Sequence, residues 1–316
     1  MGHSFGLIRQ TIDVRDRKFI IPRRITVMLP ASFDLSNSFF GKVPQLDQQS
    51  LGSCGPHTAA ECIDDDELSD RGSFVAPSRL FIYYVTRMLA GTVNSDSGVN
   101  NRQMMKALAQ YGFCPESMLP YSDDPTTFRI KPSPECFSAA LANRILGYYA
   151  VQVSLDQIKG ALVQQARPIV FGFDVFRGIE SQQAAATGVV PDPSPGETPI
   201  GGHDVSLIGY DDVRGVFKFR NHWMEGNRPW GDRGYGYLSY AYATSSHVSD
   251  LWVIDAVTPT VPPTPGPTPP PTPTPVPPPG PVPPGPTPHG WHAPAVAGQA
   301  IGINLPAKGG ETYGIG

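Results

Sequence analysis

Apolar positions recur at helical spacing through the first half of the chain and fall into short alternating or continuous blocks through the second. CGPHTAAECIDDDEL (54–68) puts Pro56 in a first turn ahead of good helix formers, which predicts a helix opening at or near Cys54. PSRLFIYYVTRMLAG (77–91) offers Ser78 as a cap, an apolar helical stretch and a closing glycine, and NNRQMMKALAQYG (100–112) repeats that logic. ECFSAALANR and SLDQIKGALVQQ are helical in spacing as well. From RPIVFGFDV (167–175) onward the pattern changes. HDVSLIGYDD, GVFKFRN, GYGYLSYAYA and LWVIDA read as strands, separated by turns containing Gly and Asp. Helices first and strands second predict an α+β fold with two lobes, and no internal repeat is visible.

Composition sets the borders of that fold. Residues 257–288 are mostly Pro with Thr, Gly and Val, a mixture that favours extended polyproline II and cannot build a core. Fully extended, such a run spans roughly 100 Å at about 3.1 Å per residue. It is expected to act as a spacer, and its PxxP spacings suit an SH3- or WW-type partner. Residues 289–316 are expected to form a flexible tail, 29–256 the folded domain, and 1–28 a separate N-terminal segment. The net charge of −4 and the lack of a long basic run argue against a nucleic-acid partner. No apolar run approaches the roughly 18 residues of a membrane span, and no secretory signal is visible near the start. The four cysteines form no CxxC pair, so a zinc ribbon is not indicated. A reducing, intracellular setting is expected, with a Cys114–Cys136 bridge as the rival reading. Neither a metal nor an organic cofactor is expected, and the chain is expected to be a monomer.

The candidate chemistry begins with Cys54. A helix N-terminus favours the thiolate, but a nucleophile also needs an imidazole, a group that orients it, and donors for an oxyanion. Among the seven histidines, His3, His289 and His292 fall in the ends of the chain, and His57, three residues along from Cys54, reads as packing. His203 sits in IGGHDVSLIGYDD, where two glycines precede a rigid strand. Asn221 ends the next strand, so antiparallel pairing brings its amide towards His203.

These segments resemble the papain-like (C1) cysteine peptidases. QQSLGSC, GGHDVSLIGYD and RNHW…PWGDRGYGYL match in order that family's Gln-x5-Cys, Gly-His and Asn-Ser-Trp…Trp-Gly…Gly-Tyr motifs. His203 follows Cys54 by 149 residues and Asn221 by 167; the family spacing is about 130–150. LPASFDLS, SRLFIYYVTRMLAGTVNSDSGV and YGFCPESMLPY look like a bacterial or viral branch, as does TGVVPDPSPGETPIGGHDV, and the resemblance runs from about residue 8 to 256. It implies a two-lobed fold, with a helical lobe and a β-barrel-like lobe. It makes Cys54 the nucleophile, His203 the base and later acid, Asn221 the orienter, and Gln48 the oxyanion-hole amide beside the Cys54 N–H. It also implies that Trp223 shields the Asn–His bond, and that Gly98, in SDSG, pairs with substrate backbone; both are assigned to substrate binding.

Departures from the family pattern accompany the match. Gly55-Pro56-His57 replaces the aromatic after the nucleophile, Asp204 replaces a small residue after the histidine, and His222 replaces Ser. The family's bridged cysteine pair is replaced by Leu51 and, approximately, Ser97. Asp204 is expected either to raise the His203 pKa or to point away along the strand. The family's long helical proregion is not expected ahead of LPASFDLS; either latency is not achieved that way, or the short N-terminal segment is expected to lie over the cleft. The resulting expectation is a cysteine-type endopeptidase acting on peptide or protein substrates through an acyl-enzyme. The alternatives are an acyl-enzyme transpeptidase, or an impaired peptide-binding module tethered by its Pro-rich tail.

Overall fold

The structure, a computed structural model, describes residues 3–22 and 28–257. The Pro-rich segment past residue 257 and the tail 289–316 lie outside the described residues, as do residues 23–27 of the N-terminal segment.

Helix α1 (Cys54–Arg71) opens at Cys54 and ends at Gly72, whose left-handed backbone (φ 73°) returns its N–H to the Leu68 carbonyl. Helices α2 (Arg79–Ala90) and α3 (Asn101–Gln110) begin where Ser78 and Asn100 accept the Phe81 and Gln103 amides. Ser133 and Ser154 cap α4 (Pro134–Ala140) and α5 (Leu155–Gln165) in the same way. Two short helices follow, α6 (Gln182–Thr187) and α7 (Tyr240–Ala243).

The strands are β1 (Lys18–Phe19), β2 (Ser32–Asp34), β3 (Ile145–Val151), β4 (Ile169–Val175), β5 (Gly201–Asp211) and β6 (Val216–Arg220). They continue with β7 (Met224–Glu225), β8 (Arg228–Pro229), β9 (Tyr235–Ser239) and β10 (Val248–Val257). One sheet runs β1-β3-β10-β4-β5-β6-β9 with β2 also on β5, and β7 and β8 form a separate hairpin. The architecture is α+β, as the pattern predicted. Strand β3 was not anticipated, because ILGYYAV is short and sits between two helical signals; its identity as a strand comes from pairing with β10. Strands β1 and β2, from the first part of the chain, also join the sheet.

Two apolar cores flank the site. Phe171, Phe173, Val205, Phe219 and Trp230 fill the sheet side, and Ile63, Tyr83, Met104, Phe113 and Trp252 fill the helical side. Strand alternation divides β5 between them. His203 pairs in register with Phe173, while Asp204 and Ser206 point towards α1. All four cysteines are buried free thiols, so Cys114 and Cys136 are not bridged.

Candidate active site

Cys54, His203, Asn221 and Gln48 are all fully buried. They sit on four pieces of chain: the loop before α1 (Gln48, whose N–H donates to the His222 carbonyl at 2.9 Å), the start of α1 (Cys54, whose thiol donates to Asp204, the residue after His203), strand β5 (His203) and the chain leaving β6 (Asn221). Antiparallel pairing of β5 and β6 places the Asn221 side chain on His203, whose Nε2 donates to Asn221 Oδ1 at 2.8 Å. That contact fixes the proton on Nε2. His203 Nδ1 has no hydrogen-bond partner among the described residues, which leaves it able to receive a proton. Trp223 lies flat on the imidazole, with ring centres 4.3 Å apart, and is itself buried.

Residues 3–10 thread this site. Gln48 Nε2 donates to the Ser4 carbonyl at 3.0 Å as well as to Leu51 O. The Gly6 carbonyl accepts the Val99 N–H at 2.7 Å, Ile8 N–H returns to Val99 O at 2.8 Å, and Leu7 N–H reaches Gly202 O at 3.0 Å. The segment is thereby stitched to both walls of the cleft, and His3 stacks on the outer face of Trp223. Glycine makes the approach possible. Gly98 holds φ +76°, and a Cβ there would fall 2.1 Å from the Gly6 carbonyl oxygen. A Cβ on Gly6 would meet Gly52 O at 2.0 Å. Gly98 therefore opens the wall, while the backbone hydrogen bonds are made by its neighbour Val99. Beyond Trp223 a surface depression of about 410 Å³ continues the cleft, lined by His3, Asp47, Gln49, Met224 and Glu225 among others.

Burial under the segment sets the protonation states. It pushes the Cys54 thiol well above its usual pKa, and the nearby Asp204 carboxyl adds to this; amides of Asp204, Gly6 and Gly55 oppose it more weakly. Burial also drives His203 down to about 3, against the Asn221 hydrogen bond. The covered site thus holds a neutral thiol and a neutral imidazole. Asp204 points away from His203, the second of the two courses foreseen for it. It faces the helical side, where Cys54 Sγ on α1 donates to its Oδ2 at 3.8 Å and Asn101 Nδ2 on α3 donates to its Oδ1 at 2.5 Å. Burial, with Asp250 nearby, keeps the Asp204 carboxyl protonated far above the ordinary range.

The sequence did not single out Asp96, whose carboxylate accepts the Gly52 N–H at 3.1 and 3.2 Å and the Tyr83 hydroxyl. It ties the loop before Cys54 to the wall carrying Gly98, the two places where the resemblance expected a disulfide. Glu61, buried on α1, also escaped notice because it opens onto a run of acids that reads as a solvated face. His57 packs as expected, its ring nitrogens facing the Ser53 and Asp47 carbonyls at 2.8 and 3.1 Å. Among the described residues no cluster of three or more His, Cys, Asp or Glu is arranged to hold a metal, and no helix is long and apolar enough to cross a membrane.

Comparison with known proteins places this arrangement among relatives. Residues 29–254 match the sequence model described as papain family cysteine protease. An uncharacterized peptidase C1-like protein, L477, of Acanthamoeba polyphaga mimivirus is 33% identical over 282 residues, covering 82% of this chain and 88% of that one. Xylellain, a cysteine protease from Xylella fastidiosa, superposes with a TM-score of 0.73 at 33% identity, over 80% of this chain and 96% of its own. Procathepsin B S9 from Trypanosoma congolense shares the fold at 17% identity and a TM-score of 0.62, over 79% of this chain and 85% of its own.

Proposed function

Since the chain belongs to the papain family of cysteine proteases, we propose that it is an endopeptidase working through Cys54, His203 and Asn221, with residues 3–10 as a removable cover. His203 Nδ1 takes the Cys54 proton as the sulfur attacks a peptide carbonyl carbon. Gln48 Nε2 and the Cys54 N–H hold the oxyanion, and His203 returns the proton to the departing amine. Water, deprotonated by the same imidazole, then cleaves the thioester. Asn221 keeps the ring in the tautomer that leaves Nδ1 open.

One observation carries the reading: a peptide backbone already lies in the cleft, its Ser4 carbonyl on the Gln48 amide proposed for the oxyanion. With the cover in place, a neutral thiol and neutral imidazole keep the nucleophile quiet. The test is to place a specific processing site at Ile12–Val14, where both residues are strongly exposed, and to cut the folded chain there. Turnover of a fluorogenic peptide pool should appear after cutting. It should vanish in Cys54→Ala and fall about 10²–10⁴-fold in His203→Ala. A cut chain that binds peptides without turning them over would instead make it a binding module.

A further inference from the structure

The three catalytic elements share a contact that neither the motifs nor the triad includes. Glu61 lies two turns along α1 from Cys54, on the same side of the helix, and is fully buried. Its Oε1 accepts Arg220 Nε at 3.1 Å, and its Oε2 accepts His222 Nε2 at 3.0 Å and Ser206 Oγ at 2.6 Å. Ser206 stands on β5, three residues past His203. Arg220 and His222 are the two neighbours of Asn221. The backbone N–H of His222 in turn donates at 2.9 Å to Asn221 Oδ1, the same oxygen that receives His203 Nε2–H.

From this geometry we infer that Glu61 is a positioning residue. It joins the nucleophile helix to the strand of the base and grips both flanks of Asn221, so that one side-chain oxygen is held where the imidazole needs it. A carboxylate suits the post because all three partners are donors, and a buried acceptor with several donors is satisfied only when ionised. Burial works against that ionised form, but the charges of Arg220 and His222 and the hydrogen bonds from His222 and Ser206 outweigh it and leave the carboxyl below its usual pKa. Arg220 is anchored at its far end, its two terminal nitrogens donating to the Val43 carbonyl at 3.0 and 2.9 Å. The network thus has a fixed wall to pull against. The inference rests on the proposed roles of His203 and Asn221.

Glu61→Gln is the informative variant, since it keeps the shape and one acceptor oxygen while turning the other position into a donor. That donor faces Ser206, whose hydroxyl can rotate to accept, and His222, which must give up either its Nε2 proton or the contact. The measurement is made on the full chain by nuclear magnetic resonance of ¹⁵N-labelled imidazoles, following solvent exchange of the His203 Nε2–H. We expect exchange at least tenfold faster in Glu61→Gln than in the wild type, with amide protection along β4 and β5 unchanged. In the chain cut at Ile12–Val14, kcat should fall tenfold or more with KM within twofold. Unchanged His203 exchange would overturn the assignment. So would a uniform loss of protection across the sheet, which would make Glu61 a support of the fold alone. The exchange arm decides the matter even if the cut wild-type chain turns over no peptide, an outcome that would count against the proposed function and not against Glu61.

Discussion

At the scale of single residues, the site depends on groups that act before any substrate arrives. Gln48 is held by its own donation to Leu51 O, so its amide needs no rearrangement to meet a developing charge. Gln48→Ala in the cut enzyme should therefore lower kcat by about 10²–10³-fold, the usual effect of removing one oxyanion donor, while KM stays nearly constant. A large rise in KM with kcat intact would move Gln48 from the oxyanion to ground-state binding. Asp96 presents a different case. Its carboxylate stands where the related enzymes lead one to expect a bridge, and it gives the buried Tyr83 hydroxyl its acceptor. Asp96→Ala leaves that hydroxyl and the Gly52 amide without this partner, so stability should drop by about 1–3 kcal/mol. Tyr83→Phe leaves the Gly98 N–H, which donates to that hydroxyl at 3.1 Å, without this acceptor, so it should cost about as much as Asp96→Ala. A double-mutant cycle by urea unfolding checks this: additive effects would show that the two groups do not act as one clasp.

At the scale of elements, the segment 3–10 behaves as an extra strand laid along the cleft, and its docking is limited by close backbone approach more than by side chains. Gly6→Ala would drive a methyl group into the Gly52 carbonyl without touching any group proposed for catalysis. Iodoacetamide labelling of Cys54 in the uncut chain should rise about tenfold or more, the ratio that 1.4 kcal/mol of lost docking produces. Unchanged labelling would mean that this glycine does not control access. The sequence carried much of the scaffold. Ser78 and the start of NNRQMMKALAQYG marked helix starts because a cap is a local event, and the glycines before His203 marked a strand with close neighbours. The Cys, His and Asn motifs were legible because each lies within a few residues of itself in sequence. What stayed hidden is long-range. Glu61 looks like the first of five acids until Ser206 and His222, 145 and 161 residues away, fold onto it. Asp204 could be placed on a strand, but its face towards Cys54 depends on how α1 crosses β5. The path of the cover depends on Gly6, Gly52 and Gly98 meeting, and no periodicity records that.

At the scale of the whole molecule, the unusual feature is how many carboxyls are buried. Burial pushes Asp65 up to about 7, with Arg167 pulling the other way and Asp66 adding to the rise. Burial likewise pushes Asp250 up to about 6, against hydrogen bonds from Ser249 and the Gln10 amide and the charges of Arg9 and Arg102. Asp64 and Asp204 move in the same direction. A carboxyl whose folded pKa lies above its unfolded value binds more protons folded than unfolded between the two. Stability from these groups is therefore complete below about pH 4 and is lost as pH rises towards 7. Glu61 and Asp34 are shifted down and act in the opposite sense, failing only as pH drops below the normal carboxylate range. The balance places the stability maximum on the acid side of neutrality. At about 1.4 kcal/mol per pKa unit, Asp65 and Asp250 together should remove on the order of a few kcal/mol between pH 4 and pH 7. Asp250 adds a functional consequence, because it accepts the Gln10 N–H at the end of the cover at 3.0 Å. That amide and the Arg9 charge both favour the ionised form, so the cover is gripped by a carboxyl whose ionisation burial opposes. Thermal unfolding of the uncut chain from pH 4 to 8 should show a falling midpoint, and Asp250→Asn and Asp65→Asn should each flatten that trend. A midpoint that rises steadily from pH 4 to 7 would show that the paired, downward-shifted acids govern this fold and that the buried ones ionise without cost.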